Sequence, residues 1–423
     1  VPTYSSIRSI TRMAITSPKR TKGRESGAVA RSWIARPILS SEFTDDPPLE
    51  DAYVGLLRQR RDTSAAIRRI SSVLPGFNHL KRCSSNKLLL APLNSPELAP
   101  ETEEPSEASA LTEDRLKAAL KEREFDLALL EDEFQIVKVP ARAAKTKAQS
   151  ARASKVWPLN FHPDPNVECL VDGSIFTEHQ LQLIERYMSV AVEAGRLEAV
   201  GNGNCNGSAV IVDPEDGRIL AIAASKIDQH PMWHAAMLAV DLVARLQGGG
   251  AWELHENLEK NDAVSETSDP TEKEERDYAT RERRIKRRYI EDAPFCYPAS
   301  LAKLSLPKEE TLKSTVARKG RRNNEARPLD PEKAEAEKSG PYLCTGYWTF
   351  LLREPCPLCA MALVHSRVSR IFYGTPNEDS GVLGSRTILH AVPGLNHRYQ
   401  VWSGILEREC REASREIEHR NVD

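Results

Sequence analysis

The sequence predicts an α/β protein: a three-layer α/β/α domain built on a mixed sheet, a small N-terminal α+β domain and a long disordered insertion. The main domain is predicted because short apolar runs alternate with longer amphipathic ones at 166–250, and the same alternation resumes at 341–423. The insertion is predicted at 251–340, where charged residues dominate and few apolar side chains recur.

Length, composition and charge restrict the classes of protein to which the chain can belong. The chain has 423 residues, enough for two or three domains, and 40% of them are hydrophobic. The net charge of -2 means that nucleic-acid binding would depend on local basic patches. Eight irregularly spaced cysteines favour a reducing compartment over a disulfide framework. Without an apolar run of membrane-helix length or a secretory signal, the sequence predicts a soluble, intracellular protein.

Residues 1–45 form a basic stretch rich in Ser and Thr. Within residues 1–40, eight Lys or Arg face a single acid, Glu25. An organelle transit segment has this composition, but a disordered tail or an error in the predicted start of the gene is favoured because the chain begins with Val1. We therefore expect a basic disordered tail.

Residues 46–140 predict the small α+β domain, with the ferredoxin-like fold as one candidate. An acidic linker rich in Pro, Glu and Ser interrupts it at about 95–110. The predicted elements, in order, are a strand DAYVGLL from Asp51, a helix capped by Asp62 or Thr63, a strand at 87–91, a helix opened by Thr112 and a strand FQIVKVP at 134–140.

The first helix of this domain is flanked by the densest cationic cluster near any predicted element. Such a cluster can grip RNA phosphates, but a solvated helix face explains it equally well. Its members are Arg58, Arg60, Arg61, Arg68, Arg69, Lys81 and Arg82.

The main domain follows a basic linker at 141–165. Its first part, 166–250, predicts three elements: a helix capped by Thr177, a hairpin and a helix beginning near His234. The hairpin is predicted because the β-rich runs GSAVIVD and RILAIAAS flank four turn-forming residues. Its second part, 341–423, predicts a buried strand TGYWTFLLR, a helix opened by EPCPLC, a strand SRIFYG and an exposed polar helix from about Gly404.

Three residues in these elements have the chemistry of a metal site. Cys356 and Cys359 have the Cys-x-x-Cys spacing that lets two sulfurs reach one zinc ion, and Pro355 favours the start of a helix there. A helix N-terminus also favours the thiolate. His234, at the start of the other apolar helix, supplies a third ligand, and the long intervening loop adds only about 0.6 kcal/mol of closure entropy per doubling of its length.

Zinc deaminases of nucleobases carry His-x-Glu followed by Pro-Cys-x-x-Cys, in which the glutamate carries protons between water and the leaving amine. Here Ala236 occupies the glutamate position, and its methyl group carries no proton. Asp241 lies further along the same predicted helix and Glu354 precedes the cysteine turn on another segment, and neither occupies the required position. A structural zinc site or two buried cysteines remain alternatives to a catalytic centre.

The chain resembles the non-catalytic third subunits of eukaryotic tRNA-specific adenosine-34 deaminases, within the cytidine and deoxycytidylate deaminase superfamily. The resemblance spans about 139–403 without the insertion. The matching segments are VPARAAKTKAQ, VWPLNFH, SAVIVDPEDGRILA, HAAMLAVDLVARLQ, YLCTGY, REPCPLCAMALVHSRVSRIFYG, GVLGSR and LNHRYQVW.

The resemblance implies a cytidine deaminase-like domain that binds zinc but lacks catalysis. It also implies a heterodimer with a catalytic subunit whose His-x-Glu is intact, conversion of adenosine to inosine at wobble position 34 of tRNA, an N-terminal domain that helps to dock tRNA, and localisation in nucleus and cytoplasm. The alternatives are a free-standing zinc deaminase with a relocated acid, such as Glu354, and an interaction protein without a role in RNA.

Two further sets of residues are candidates for contact with RNA. The first is the basic arm at 141–155, with Lys145 and Lys147, which is otherwise a solvated linker. The second is His397, Arg398 and Tyr399, where cation and ring occur together, and which core or dimer packing explains as well.

Overall fold

A computed structural model of the protein describes residues 31–95, 111–200, 207–254, 293–310, 312 and 342–420. Residues 1–30 of the predicted tail, the acidic linker at 96–110 and most of the predicted insertion lie outside the described residues. All elements below belong to one compact unit, Trp33–Asp423. Every helix in the described ranges is too short or too polar to cross a membrane.

The strands are β1 Arg36–Pro37, β2 Leu49–Leu57, β3 Cys83–Ser84, β4 Lys87–Pro92, β5 Leu130–Pro140, β6 Ser208–Val212, β7 Ile219–Ala224, β8 Phe295–Tyr297, β9 Trp348–Arg353, β10 Arg370–Thr375 and β11 Gln400–Ser403. The α-helices are α1 Ser41–Thr44, α2 Thr63–Val73, α3 Glu113–Glu122, α4 Lys147–Ala153, α5 Pro165–Asp172, α6 Glu178–Glu198, α7 Ala235–Leu246, α8 Pro357–His365 and α9 Glu407–Arg420.

The main domain is a mixed sheet with the order β1-β11-β10-β9-β6-β7-β8. Strands β9, β10 and β11 run parallel, whereas β6 pairs antiparallel with both β7 and β9. The predicted hairpin, central strand and flanking strand are therefore confirmed. The mixed sheet arises because β6 and β7 are joined by a tight turn, while parallel strands need longer crossover connections.

Side chains alternate between the two faces of this sheet. Val210 and Phe350 face a core formed with α6 and α9, whereas Ile211 and Leu351 face a core formed with α7 and α8. The period of two in the strands thus separates two apolar cores, each covered by its own pair of helices. This arrangement confirms the predicted three-layer α/β/α architecture.

The N-terminal sheet has the order β3-β4-β2-β5, and its neighbours are antiparallel. With helices α2 and α3 on one face, the element order is β-α-β-β-α-β, the ferredoxin-like motif. The opposite face is covered by Trp157, which comes from the linker that follows β5. The order of elements predicted for 46–140 is confirmed, and the short β3 was not predicted.

Two segments predicted to lack structure contribute strands to the main sheet. Within the predicted tail, Trp33 is buried and β1 pairs antiparallel with β11. Within the predicted insertion, β8 pairs parallel with β7 at the opposite edge. Both strands are very short, so they lack the alternating pattern that identifies a strand in sequence.

The C-terminal helix α9 was predicted to be exposed, and the structure corrects this. Its charged residues face water, but Cys410, Ala413 and Ile417 are fully buried against α6 and the sheet. The apolar positions recur at three and four residues, so the helix is amphipathic with a narrow apolar face. Because the opposite face carries many charged residues, the narrow apolar face was not recognised from the sequence.

The buried face of α9 gives a first prediction. Ile417→Ala should lower the free energy of unfolding by about 2–5 kcal/mol, because it removes a fully buried side chain and leaves a cavity. Arg415→Ala, on the exposed face of the same helix, should change it by less than about 0.5 kcal/mol. Urea unfolding of the full chain measures both values, and equal effects would contradict the packing of α9.

Candidate metal centre

The N-termini of α7 and α8 meet on one face of the main sheet. His234 is the residue that caps α7, and Cys356 caps α8 with Cys359 one turn further along. Both caps have extended backbone, and Pro357 at the first position of α8 is already set for a helix. Because the positive ends of two helix dipoles point to the same place, thiolates are favoured there.

The three predicted donors come together. His234 Nδ1 lies 3.6 Å from Cys356 Sγ and 3.4 Å from Cys359 Sγ, and the three donor atoms lie within 4.8 Å of one another. In a tetrahedral zinc site, bond lengths near 2.05 Å to nitrogen and 2.3 Å to sulfur place these atoms about 3.6 Å apart. The donor set and its spacing therefore fit one zinc ion.

A buried alanine occupies the position at which a zinc deaminase carries its proton-transferring glutamate. Ala236 is 4% exposed and lines a cavity of about 30 Å³ together with His234, Cys359 and Glu354. Sites for small molecules typically measure about 300–1,000 Å³. The space beside the donors is therefore far smaller than a typical small-molecule site.

The Glu354 side chain anchors a loop and does not act as a proton carrier. Its carboxylate is 2% exposed: Oε1 accepts hydrogen bonds from the backbone N–H groups of Leu383 (2.8 Å) and Ser385 (3.0 Å). Oε2 accepts from the N–H of Asn377 (3.0 Å) and from the Ser385 hydroxyl. Since an ionised carboxylate has about four acceptor sites, this one is fully engaged by the loop at 377–385.

The loop is shaped around this carboxylate. A Cβ atom on Gly381 would lie 2.4 Å from Glu354 Cδ, so only glycine fits at this position. Tyr373 donates its hydroxyl hydrogen to Leu383 O, and burial together with the negative charge of Glu354 raises the pKa of Tyr373. No sequence spacing predicts this network, because its members meet only through the packing of β9 against β10.

Asp241, the other acid considered from the sequence, also has a structural role. It is 6% exposed, and its Oδ2 accepts a hydrogen bond from Arg245 Nε at 2.8 Å, four residues further along α7. Its Oδ1 accepts from the backbone N–H of Ala251. Asp241 thus fixes the turn that follows α7.

The predicted cationic cluster divides into exposed and buried members. Arg58 pairs with Asp132 at 2.8 Å and Arg69 with Glu124 at 3.4 Å, both at the surface. Arg82 is 8% exposed and donates to three backbone carbonyl groups, and burial lowers its pKa to about 10. Arg82 therefore supports the fold and is not available to phosphates. The exposed members are Arg58, Arg60, Arg61, Arg68, Arg69 and Lys81.

The basic arm contains a helix, α4, at 147–153. Thr146 and Gln149 form a capping box at its start, and the Gln149 amide also donates to the carbonyl oxygens of Glu42 and Asp45. This docking fixes the arm against the start of the N-terminal domain. Lys145 and Lys147 are exposed on it.

The residues 397–399 do not form one surface. His397 Nε2 lies 2.6 Å from Val368 O, and Arg398 is exposed. Tyr399 is 3% exposed, donates to Ala360 O at 3.2 Å, and has its pKa raised by burial. Its ring therefore packs in the core, which corrects the expectation that it is open to stacking by a base.

A His/Cys/Cys cluster at two helix N-termini, on a mixed sheet between two helical layers, defines a deaminase-like protein that lacks the deaminase glutamate. No protein-family model matches the chain. Among relatives, the "Probable inactive tRNA-specific adenosine deaminase-like protein 3" of Danio rerio is 32% identical over 94% of this chain and 99% of that protein. The "tRNA-specific adenosine deaminase TAD3" of Arabidopsis thaliana is 32% identical over 64% of this chain and 71% of that protein.

The chain belongs to the family of tRNA-specific adenosine deaminase-like protein 3. A solved structure titled "Biochemical and Structural Studies of A-to-I Editing by tRNA:A34 Deaminases at the Wobble Position of Transfer RNA" is similar to it at 15% identity, with a TM-score of 0.25, over 49% of this chain and 83% of the other. The family resemblance stated from the sequence motifs is confirmed.

The Glu354 network gives a second prediction. Glu354→Gln should lower the free energy of unfolding by about 1–3 kcal/mol, because the new amide group faces N–H donors and leaves buried groups unsatisfied. Glu378→Gln, an exposed change in the same loop, should have little effect. Denaturant unfolding measures both, and a Glu354→Gln protein as stable as the parent would show that the carboxylate does not anchor the loop.

Proposed function

We propose that the chain is the non-catalytic, zinc-binding subunit of a heterodimeric tRNA adenosine deaminase that converts adenosine to inosine at wobble position 34. In this role it supports assembly of the enzyme and binding of tRNA. The observation that carries the proposal is the combination of an intact donor set, His234, Cys356 and Cys359, with Ala236 at the proton-carrying position.

Zinc in this site would have a structural role. The donors would join the N-termini of α7 and α8, which come from distant parts of the chain. Structural zinc contributes about 10–16 kcal/mol of binding energy in model peptides, which is enough to retain the site without catalysis. When bound in enzymes, zinc lowers the pKa of a water molecule, but deamination also requires a positioned acid or base.

A free-standing deaminase with a relocated acid finds no support in the site. The Glu354 carboxylate accepts four hydrogen bonds from one loop, and that of Asp241 is held by Arg245 and Ala251. A positioned acid or base typically contributes about 10²–10⁴-fold to the rate. Neither carboxylate is free to move a proton, so catalysis is assigned to a partner with an intact His-x-Glu.

The tRNA would meet the exposed cations of the N-terminal domain and of the basic arm. Arg60 and Arg68, beside and on α2, together with Lys145 and Lys147, are exposed and suit phosphate contacts. Arg398 adds one cation on the main domain. Localisation to nucleus and cytoplasm forms part of the same proposal.

The metal site gives a third prediction. The purified chain should contain about one zinc per molecule, and Cys356→Ser or Cys359→Ser should remove most of it and lower the thermal midpoint, because each change breaks the joint between α7 and α8. Cys169→Ser, a half-buried cysteine away from the site, should keep the zinc. Elemental analysis provides the readout, and full zinc content in both site variants would overturn the assignment of the ligands.

Activity gives a fourth prediction. The isolated chain should produce no inosine in a tRNA with adenosine 34, because Ala236 moves no proton. Co-expression with a catalytic deaminase subunit carrying His-x-Glu should give inosine at position 34, detected by sequencing. Robust deamination by the isolated chain would contradict the proposal. So would a co-purified, catalytically competent partner whose activity does not depend on this chain.

A further inference from the structure

The N-terminal domain contains a cavity of about 270 Å³, far larger than the space beside the metal donors. It lies where β2 begins, β4 ends and β5 ends, and the loop after α2 closes one side. Leu74, Leu90 and Ala91 form its buried floor, whereas Gly76 and Ala141 are exposed at its rim. Its size is near the lower end of pockets that bind small molecules.

Arg82 holds the two walls of this cavity in place. Its guanidinium donates to the carbonyl oxygens of Gly76 (2.8 Å) and Leu74 (2.7 Å) on the loop, and to that of Leu90 (3.1 Å) on β4. The loop is also held from outside, because Asn160 N donates to His79 O at 2.9 Å. The cavity is therefore preformed, which reduces the entropic cost of filling it.

The carboxylate of Glu50 is the acceptor that lines the cavity. The Glu50 carboxylate accepts no hydrogen bond from any residue in the described ranges, and burial raises its pKa, partly offset by His79. His79 Nε2 lies 2.7 Å from Pro140 O, and since a carbonyl only accepts, Nε2 carries the proton. Ser95 adds one hydroxyl.

The cavity also has an aromatic wall. Phe77 lines it, and the Arg82 guanidinium lies 5.3 Å from the centre of its ring. Phe77 has a φ of 53°, a left-handed conformation that is unusual for a bulky residue. Such local strain is found preferentially at binding sites, where the surrounding structure maintains it.

We propose that this cavity binds an unpaired guanine base of RNA, with Glu50 receiving its Watson–Crick edge and Phe77 contacting its face. This inference rests on the proposed role in tRNA binding. Proteins read unpaired RNA bases by stacking on aromatic side chains and by hydrogen bonds to their edges. The volume suits one base better than a whole nucleotide, which leaves the sugar and phosphate at the exposed rim.

The Glu50 carboxylate favours guanine over the other bases. Guanine presents two neighbouring donors, N1–H and the N2 amino group, which match the two oxygens of one carboxylate. Adenine and cytosine each place an acceptor nitrogen beside their amino group, so one carboxylate oxygen would be repelled. Uracil offers a single donor between two carbonyl groups. Arg142, which follows the lining residue Ala141, is a cation close enough in sequence to serve a phosphate.

The test is a titration of the full-length chain with GMP, AMP, CMP and UMP, followed by saturation-transfer NMR of the nucleotide. GMP should bind at least about fivefold more tightly than UMP, the discrimination that a paired hydrogen bond provides. Glu50→Gln should abolish this preference because it replaces one acceptor with a donor. Asp51→Asn is the matched control, since the neighbouring Asp51 pairs with Lys138 at the surface.

Ala141→Trp, at the exposed rim, provides a second variant that should block GMP without a change in the floor. Equal affinities for GMP and UMP, or a GMP preference that survives both Glu50→Gln and Ala141→Trp, would overturn the proposal. Inosine formation in the presence of a catalytic partner is measured separately, so that the guanine pocket and the proposed function are tested independently. Guanine-selective binding without tRNA editing would support the pocket alone, and editing without guanine selectivity would support only the proposed function.

Discussion

The packing of α7 and α8 side by side on one face of the main sheet is the constraint on which the site depends. Each helix begins at a residue that carries a metal donor, so the same packing that buries their apolar faces also brings His234 to Cys356 and Cys359. The sheet order makes this possible, because β6 lies between β7, which precedes α7, and β9, which leads into α8. The packing that forms this core therefore also positions the three metal donors.

A site can keep its metal donors after losing its chemistry because the two depend on different atoms. The donors lie at the starts of two packed helices, whereas proton transfer depends on a single carboxylate that Ala236 lacks. The two acids considered from the sequence are engaged elsewhere: Glu354 anchors the 377–385 loop and Asp241 the turn after α7. The small cavity that remains is consistent with a structural role.

The N-terminal domain is joined to the main domain by a linker that has structure of its own. Trp157 covers one face of the N-terminal sheet and donates to Lys81 O at 2.7 Å, and Gln149 docks the basic arm. Within this domain Arg82 is a buried cation in a region rich in arginine. The other arginines of the cationic cluster are exposed, whereas Arg82 donates hydrogen bonds to carbonyl groups that would otherwise be buried without partners.

Local features of the sequence were enough to predict the elements with strong periodicity, the three metal donors and the absence of a carboxylate at Ala236, because spacing and residue type are local properties. What depends on contacts between distant segments emerged only in the tertiary structure. It placed β1 and β8 at the sheet edges, buried one face of α9, and removed Tyr399 and Arg82 from the surface. Tertiary structure also brought the Glu354 carboxylate into hydrogen bonds with the loop at 377–385. A hydrogen bond between residues remote in sequence leaves no periodic signal in the chain, so the sequence could not predict it.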